Sequence, residues 1–326
     1  MAESWASLPQ HASTAPSRET GARAPLIVVD DFLSAAHAEA MRADIERHFA
    51  DPDKHRPESH QIWNYWFVPG LYTYLRTAPE KLILRDRIEG FVDALKAWSI
   101  SALALAEVSW PYLSLYIDGC RQGLHNDARN GRFGFVYSLS RDERRTIGGE
   151  TLVMREGDPF RRNIETPAAG RTFFDAVAPR FNRLVVFDDR LPHAVNPVEG
   201  SMDPIDGRIV LHGHLREGGT IVVGALPPTA VAGPIALLLK SFTTHAAARI
   251  ALYRGVIGLR LAIEPGGCVA DCAVLADRVV HPDGGDVEWE PLRQELVARF
   301  AALDFPPAAG RTDVVLPVVL GAALPG

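Results

Sequence analysis

Tyr112-Leu-Ser-Leu-Tyr-Ile-Asp-Gly-Cys-Arg-Gln-Gly-Leu-His-Asn-Asp127 opens as a β-strand and closes on a His-x-Asp triplet. In extended backbone, residues two apart point the same way, so His125 and Asp127 can both face one ion. With a second imidazole arriving from elsewhere, they form a 2-His-1-carboxylate face. That face leaves up to three positions of an octahedral Fe(II) for other ligands.

The second imidazole has a candidate. Arg183-Leu-Val-Val-Phe-Asp-Asp-Arg-Leu-Pro-His-Ala-Val195 reads as a buried strand and a turn that ends in His193. Further on, Gly207-Arg208-Ile-Val-Leu-His-Gly-His214 starts a strand with an arginine, and with period two Arg208, Val210, His212 and His214 share a face. A guanidinium inside a barrel needs an anion, and its planar fork suits a carboxylate. The distal carboxylate of 2-oxoglutarate would supply one. Taken singly, each element has a bland explanation. Together they arrive in a workable order on expected strands.

Outward from this core, residues 108–223 show short β-runs separated by Gly, Asp and Pro: 112–117, 133–139, 150–154, 171–175, 183–188, 208–214 and 219–223. Strands at this spacing suggest an all-β barrel or a jelly roll, the cupin-like double-stranded β-helix. Before it, Leu26 to Val29 reads as a strand, and Ser34 caps a helix over 35–49 that carries Met41, Ile45 and Phe49. A second helix is expected over 87–105 with Ile88, Phe91, Leu95 and Trp98 on one face. Both would pack outside the barrel. The aromatic cluster Trp63, Tyr65, Trp66, Phe67, Tyr72 and Tyr74 between them could line a substrate entrance or pack as core.

The fold class is therefore mainly β with flanking helices, plus a small α+β C-terminal domain. Residues 1–24 read as a disordered tail, 25–223 as the barrel domain, 224–234 as a Gly/Ala/Pro-rich linker and 235–326 as the second domain. Within the last, a helix (235–253), a strand (255–263), a Pro-Gly-Gly turn, a strand (268–275), a helix (289–302) and a strand (312–320) follow in order.

Composition bounds the partners. The 326 residues are 47% apolar and 23% charged with a net charge of −6 and no basic block, which argues against nucleic acid and anionic membrane. The N-terminus holds no signal peptide or anchor, and Val231 to Leu239 is too short to span a bilayer, so a cytoplasmic protein is expected. Three cysteines make no disulfide framework. On one strand, Cys268 and Cys272 would lie roughly 13 Å apart, beyond disulfide reach; they read as small buried residues.

Residues 25–217 resemble the prolyl 4-hydroxylase-like branch of the 2-oxoglutarate/Fe(II) dioxygenases. The resemblance rests on Val29-Asp-Asp-Phe-Leu-Ser34 and on Tyr116, Gly119, His125 and Asp127 at the family's spacing. It extends through Tyr137-Ser-Leu, Gly148-Gly-Glu-Thr-Leu152, Asn182-Arg-Leu-Val-Val-Phe187 ahead of His193, and Val195-x-Pro197-Val198. Three departures stand near the pocket: Gln122 where relatives carry an aromatic, an insertion Ser201-Met-Asp-Pro-Ile-Asp206 before Arg208, and His214 in place of a bulky aromatic.

The resemblance implies Fe(II) on His125, Asp127 and His193, with 2-oxoglutarate and O2 as co-substrates. Oxidative decarboxylation to succinate and CO2 would drive hydroxylation of an unactivated C–H bond in an amino acid, peptide or peptide-like metabolite. Related halogenases lack the carboxylate, so Asp127 favours hydroxylation. Arg208 would anchor 2-oxoglutarate. Tyr116 and Tyr137 either hydrogen-bond it or are barrel aromatics with satisfied hydroxyls, and His214 is either a co-substrate partner or a barrel-lining histidine. Desaturation or other oxidative tailoring at the same iron is the neighbouring alternative; a non-catalytic binding protein is the alternative from another class.

Residues of about 240–322 resemble a TonB C-terminal-type module, through Gly255-Val-Ile-Gly-Leu-Arg-Leu-Ala-Ile-Glu-Pro-Gly-Gly267, Val269-Ala-Asp-Cys-Ala-Val-Leu275, and Leu303-Asp-Phe-Pro-Pro307. Such a module implies peptide capture or a homodimer through an edge strand, with a scaffold role as the alternative.

Overall fold

The structure is a computed structural model that describes residues 22–55, 63–155, 174–281 and 289–321. These fall into two compact units, one of residues 25–95 and 108–215, the other of 22–24, 96–107 and 216–321. No helix among the described residues is long and apolar enough to cross a membrane.

The first unit is a jelly roll. Its strands and helices, with Lys96–Glu107 and Arg216 falling in the other unit, are β1 (Leu26–Val29), α1 (Ala35–Ala50), β2 (Asn64–Val68), β3 (Tyr72–Thr77), α2 (Arg85–Leu103), β4 (Glu107–Val108), β5 (Tyr112–Tyr116), β6 (Arg121–His125), β7 (Phe133–Ser138), β8 (Thr146–Gly148), β9 (Thr151–Met154), β10 (Phe174–Val177), β11 (Arg183–Asp188), β12 (His193–Val195), β13 (Val198–Gly200) and β14 (Arg208–Arg216). The main sheet is curled and runs β1-β11-β7-β14-β5-β3-β6-β12-β9-β10, with β2 on β3 and β4 on β14; β8 and β13 pair separately.

Two faces follow from register. Arg208 pairs with Tyr116, Val210 with Ser114 and Ser138, and His212 with Tyr112 and Val136, so these side chains share the inner face. The alternate residues Leu211, paired with Leu113 and Tyr137, and Gly213, paired with Phe135, face the other way. There Phe91 of α2 meets Tyr137 at 4.9 Å and Phe135 at 6.0 Å between ring centroids. Helix α1 starts where Ser34 accepts from the His37 amide, as its N-cap position demands, and buries Met41 and Ile45.

The aromatic cluster falls on the β2–β3 hairpin and the residue before it, with β3 joining β5 to β6. Part of it is core: Tyr74, 3% exposed, stacks on Tyr116, and Tyr72 packs beside them. All five residues of β2 are exposed. Aromatics on both faces hide the period-two signal, which is why the pattern did not predict strands there. Of the expected strand 171–175, residues 171–173 lie outside the described residues.

In the second unit, β15 (Ile221–Gly224), α3 (Pro228–His245), α4 (Ala247–Ile250), β16 (Gly255–Ile263), β17 (Val269–Asp277), α5 (Trp289–Ala301) and β18 (Thr312–Leu320) make an α+β fold with sheet order β15-β18-β16-β17. Phe242, Trp289, Leu296 and Phe300 pack on Leu259, Leu261 and Val314. Three expectations are corrected here. The run at 219–223 joins this sheet, pairing Ile221 with Val315. The expected linker 224–234 is helical from Pro228, because proline in a first helical turn forfeits no hydrogen bond, and Val231 and Ile235 bury its apolar face. Cys268 is exposed and Cys272 half-buried, so neither is the small core residue expected. The tail expected over 1–24 lies outside the described residues as far as 21; Ala24 is buried, and Ala22 accepts a hydrogen bond from the Asp277 amide.

Candidate metal centre

His125 ends β6 and His193 begins β12, and the two are cross-strand partners with ring centroids 4.3 Å apart. Asp127 lies just past β6, where its amide donates to the Asp189 carbonyl at 2.9 Å. Its carboxylate reaches within 3.5 Å of His193 Nε2. Ligand atoms of His125, Asp127 and His193 all lie within 4.8 Å of one another. Sequence period placed His125 and Asp127 together; the β6–β12 pairing brings His193 to them.

The rings are oriented for an ion. His125 Nδ1 bonds the Gly123 carbonyl at 2.8 Å and His193 Nδ1 the Leu191 carbonyl at 3.0 Å. With Nδ1 carrying the proton, each Nε2 is left as the lone-pair nitrogen, and that of His125 meets the Gln122 side-chain amide at 3.2 Å. Burial, with the neighbouring His193, holds the His125 imidazole below its ordinary range, which favours the neutral ligand form. Burial opposes ionisation of Asp127, yet the His193 hydrogen bond and the imidazole charges hold its carboxyl at about 2.

Arg208 is the second half of the site. It is 2% exposed, donates to Thr151 Oγ1 at 3.0 Å, and lies with its guanidinium carbon 4.7 Å from the Tyr116 ring centre. Its buried Nε has no hydrogen-bond partner, and no carboxylate among the described residues forms an ion pair with it. An unpaired buried cation is costly. A ligand carboxylate on the inner face would satisfy it. Gly149, at φ +75°, makes room: a Cβ there would sit 3.1 Å from Arg208 Cδ.

The remaining expected residues divide. Tyr116 shares the Arg208 face and its hydroxyl donates to Gln122 Oε1 at 3.1 Å; burial pushes that phenol well above its ordinary range. Tyr137 is corrected: it pairs with Leu211 on the face that meets α2, and its hydroxyl donates to Asn182 Oδ1 at 2.7 Å. It is a satisfied core aromatic. His214 bonds Asp189 Oδ2 through Nδ1 at 3.0 Å, an acid whose burial raises its pKa to about 6. That places His214 behind Asp127 rather than beside Arg208.

Several residues at the site went unread in the sequence. Gln122, noted there only as a departure, links Tyr116 to His125, with its Nε2 3.2 Å from His125 Nε2. Thr151 and Asp189 carry no motif of their own, although Thr151 sits in the quoted Gly148–Leu152 stretch. Tyr72, 5.6 Å ring to ring from His125, was visible only as one of several aromatics.

This geometry sets a 2-His-1-carboxylate cluster and a buried guanidinium that has no ion-pair partner among the described residues. No protein-family model and no curated protein matches the chain. Among solved structures it is similar to a prolyl 4-hydroxylase from Pseudomonas putida, 17% identical at a TM-score of 0.41, over 60% of this chain and 93% of that one. It is also similar to the viral collagen prolyl hydroxylase of Paramecium bursaria Chlorella virus-1, solved with 2-oxoglutarate, at 13% identity and TM-score 0.36, covering 60% and 97%. The epimerase SnoN, solved with Fe3+, α-ketoglutarate and nogalamycin RO, matches at 15% and 0.41, covering 64% and 83%.

Proposed function

We propose that the chain is an Fe(II)- and 2-oxoglutarate-dependent oxygenase that hydroxylates an unactivated C–H bond in an amino acid, peptide or peptide-like metabolite. The observation that carries this reading is the buried Arg208 guanidinium, without a counter-ion among the described residues, linked through Tyr116 and Gln122 to His125 of the triad. When bound, iron with 2-oxoglutarate supplies O2-driven oxidation of a C–H bond.

The protein's own work is binding and orientation. His125, Asp127 and His193 hold the ion on one face. Arg208, seated on Tyr116 and bonded to Thr151, pairs with the distal carboxylate in the planar geometry a guanidinium prefers. The inner wall excludes water around that pair. In the second unit, β17 is a nine-residue edge strand, and capture of a peptide strand along it is the role proposed for that unit.

The test is conversion of 2-oxoglutarate to succinate by the purified chain with Fe(II), O2 and a panel of amino acids and peptides. Wild type turns over; Asp127→Ala and Arg208→Ala do not. Absence of both metal binding and turnover in wild type sinks the enzyme reading and leaves a binding protein. Tight zinc without 2-oxoglutarate affinity would mark a redox-inert cupin-like protein instead.

A further inference from the structure

A second arginine faces the inside of the same barrel and is not used by the site described above. Arg76 of β3 pairs with Ser114 of β5, which puts it on the inner face with Arg208 and His212. Its guanidinium carbon lies 3.5 Å from the Trp66 ring centre and 4.2 Å from that of Tyr112, so the cation packs against two aromatic rings. Among the described residues no carboxylate forms an ion pair with it. One N–H of Arg76 bonds the Tyr74 hydroxyl, and the rest of its planar fork remains to donate to a carboxylate.

Position separates this arginine from Arg208. Arg208 is sealed in the barrel, whereas Arg76 is half-buried against rings that are 38% (Trp66) and 48% (Tyr112) exposed. A co-substrate that enters first suits the deep cation, and a substrate that enters last suits the rim. Packed aromatic side chains connect Arg76 to the metal ligands. The Tyr74 hydroxyl feels both the Arg76 guanidinium and the Asp127 carboxylate. Tyr74 meets Tyr72 at 6.4 Å, and Tyr72 in turn meets His125 at 5.6 Å between ring centroids.

We infer that Arg76, packed against Trp66 and Tyr112, binds a carboxylate of the substrate and so makes this oxygenase selective for small acids bearing a free carboxylate, with Tyr72 and Tyr74 lining the way to the metal. This rests on the oxygenase reading above. One monocation with no neighbouring lysine fits a carboxylate better than a phosphate dianion.

The test uses the full chain loaded with Mn(II) and N-oxalylglycine, an unreactive 2-oxoglutarate analogue. N-acetyl-L-amino acids and their C-terminal amides are titrated calorimetrically in matched pairs. For the preferred side chain, wild type binds the acid roughly ten- to a hundredfold more tightly than the amide, the range of a charge-assisted hydrogen-bonded pair. Arg76→Gln collapses that ratio to about two or less, and Arg76→Lys restores part of it. Thermal unfolding and N-oxalylglycine binding of the variants report that the fold is intact. If no acid binds better than its amide, or if Arg76→Gln keeps the preference, the inference is wrong. Loss of metal-dependent N-oxalylglycine binding in wild type would instead overturn the oxygenase reading itself.

Discussion

At the scale of single residues, the inner and outer faces of the barrel make opposite demands on similar side chains. On the proposed function, Arg208→Ala would take away one partner of a buried charge pair, so 2-oxoglutarate affinity should fall at least ~30-fold, measured by metal-dependent calorimetry. Tyr137→Phe should leave that affinity unchanged and cost about 1 kcal/mol of unfolding free energy, because its lost hydroxyl serves Asn182. A drop in 2-oxoglutarate affinity in that variant would restore Tyr137 to the pocket.

His212 gives a pH signature. Burial, with the guanidinium charges of Arg76 and Arg208 and the nearby His214, outweighs Asp127 and pushes its imidazole down to about 3, while Ser114 Oγ bonds Nε2 at 2.8 Å. The unfolded chain binds this proton near pH 6.5 and the folded chain resists it, so the contribution is complete above pH 6.5 and is lost as pH falls from there towards 3. The slope is bounded by one proton, about 1.4 kcal/mol per pH unit. Urea unfolding at pH 7, 6 and 5 should show a steeper loss in wild type than in His212→Gln; parallel losses would exclude His212 as the source.

At the scale of elements, two close approaches hold the strands that carry the site. Gly148, at φ +79°, lies where β8 meets β13, and an added Cβ would fall 1.9 Å from the Pro197 carbonyl oxygen. Backbone cannot yield as a flexible side chain does, so Gly148→Ala should destabilise by more than ~2 kcal/mol and loosen the turn that leads to Thr151. Asn182 adopts φ +58° before β11, where its side chain bonds both the Leu33 amide at 3.0 Å and the Leu33 carbonyl at 2.8 Å. It ties the entry to α1 to the strand that precedes His193. Asn182→Ala leaves buried groups unpaired and should cost about 2–3 kcal/mol in chemical denaturation.

At the scale of the whole molecule, ligand binding should appear as stability. On the proposed function, Mn(II) with 2-oxoglutarate would bind the folded chain alone, so at about a hundredfold over Kd it should add roughly 2.7 kcal/mol and raise the unfolding midpoint. EDTA should reverse the rise, and Asp127→Ala should abolish it. An equal rise in Asp127→Ala would place the metal elsewhere.

Much of the fold was legible because period-two and helical patterns are local. Strands such as Arg183–Asp188, Gly255–Ile263 and Thr312–Leu320 follow the residue pattern to their ends. Proline misled at Pro228, where a first helical turn tolerates it. The hairpin at Asn64–Thr77 escaped notice because aromatics occupy both of its faces.

The opening strand and its His-x-Asp triplet show the same division. Sequence by itself set His125 and Asp127 on one side, supplied His193 as a candidate, and placed Arg208 in phase with His212 and His214, since backbone geometry alone dictates which residues along a strand point together. Only the tertiary structure decided which side of each strand faces inward. Pairing across strands is non-local, and it put Tyr116 beside Arg208, turned Tyr137 towards α2, and carried Arg76 on the inserted hairpin into the barrel against Trp66 and Tyr112.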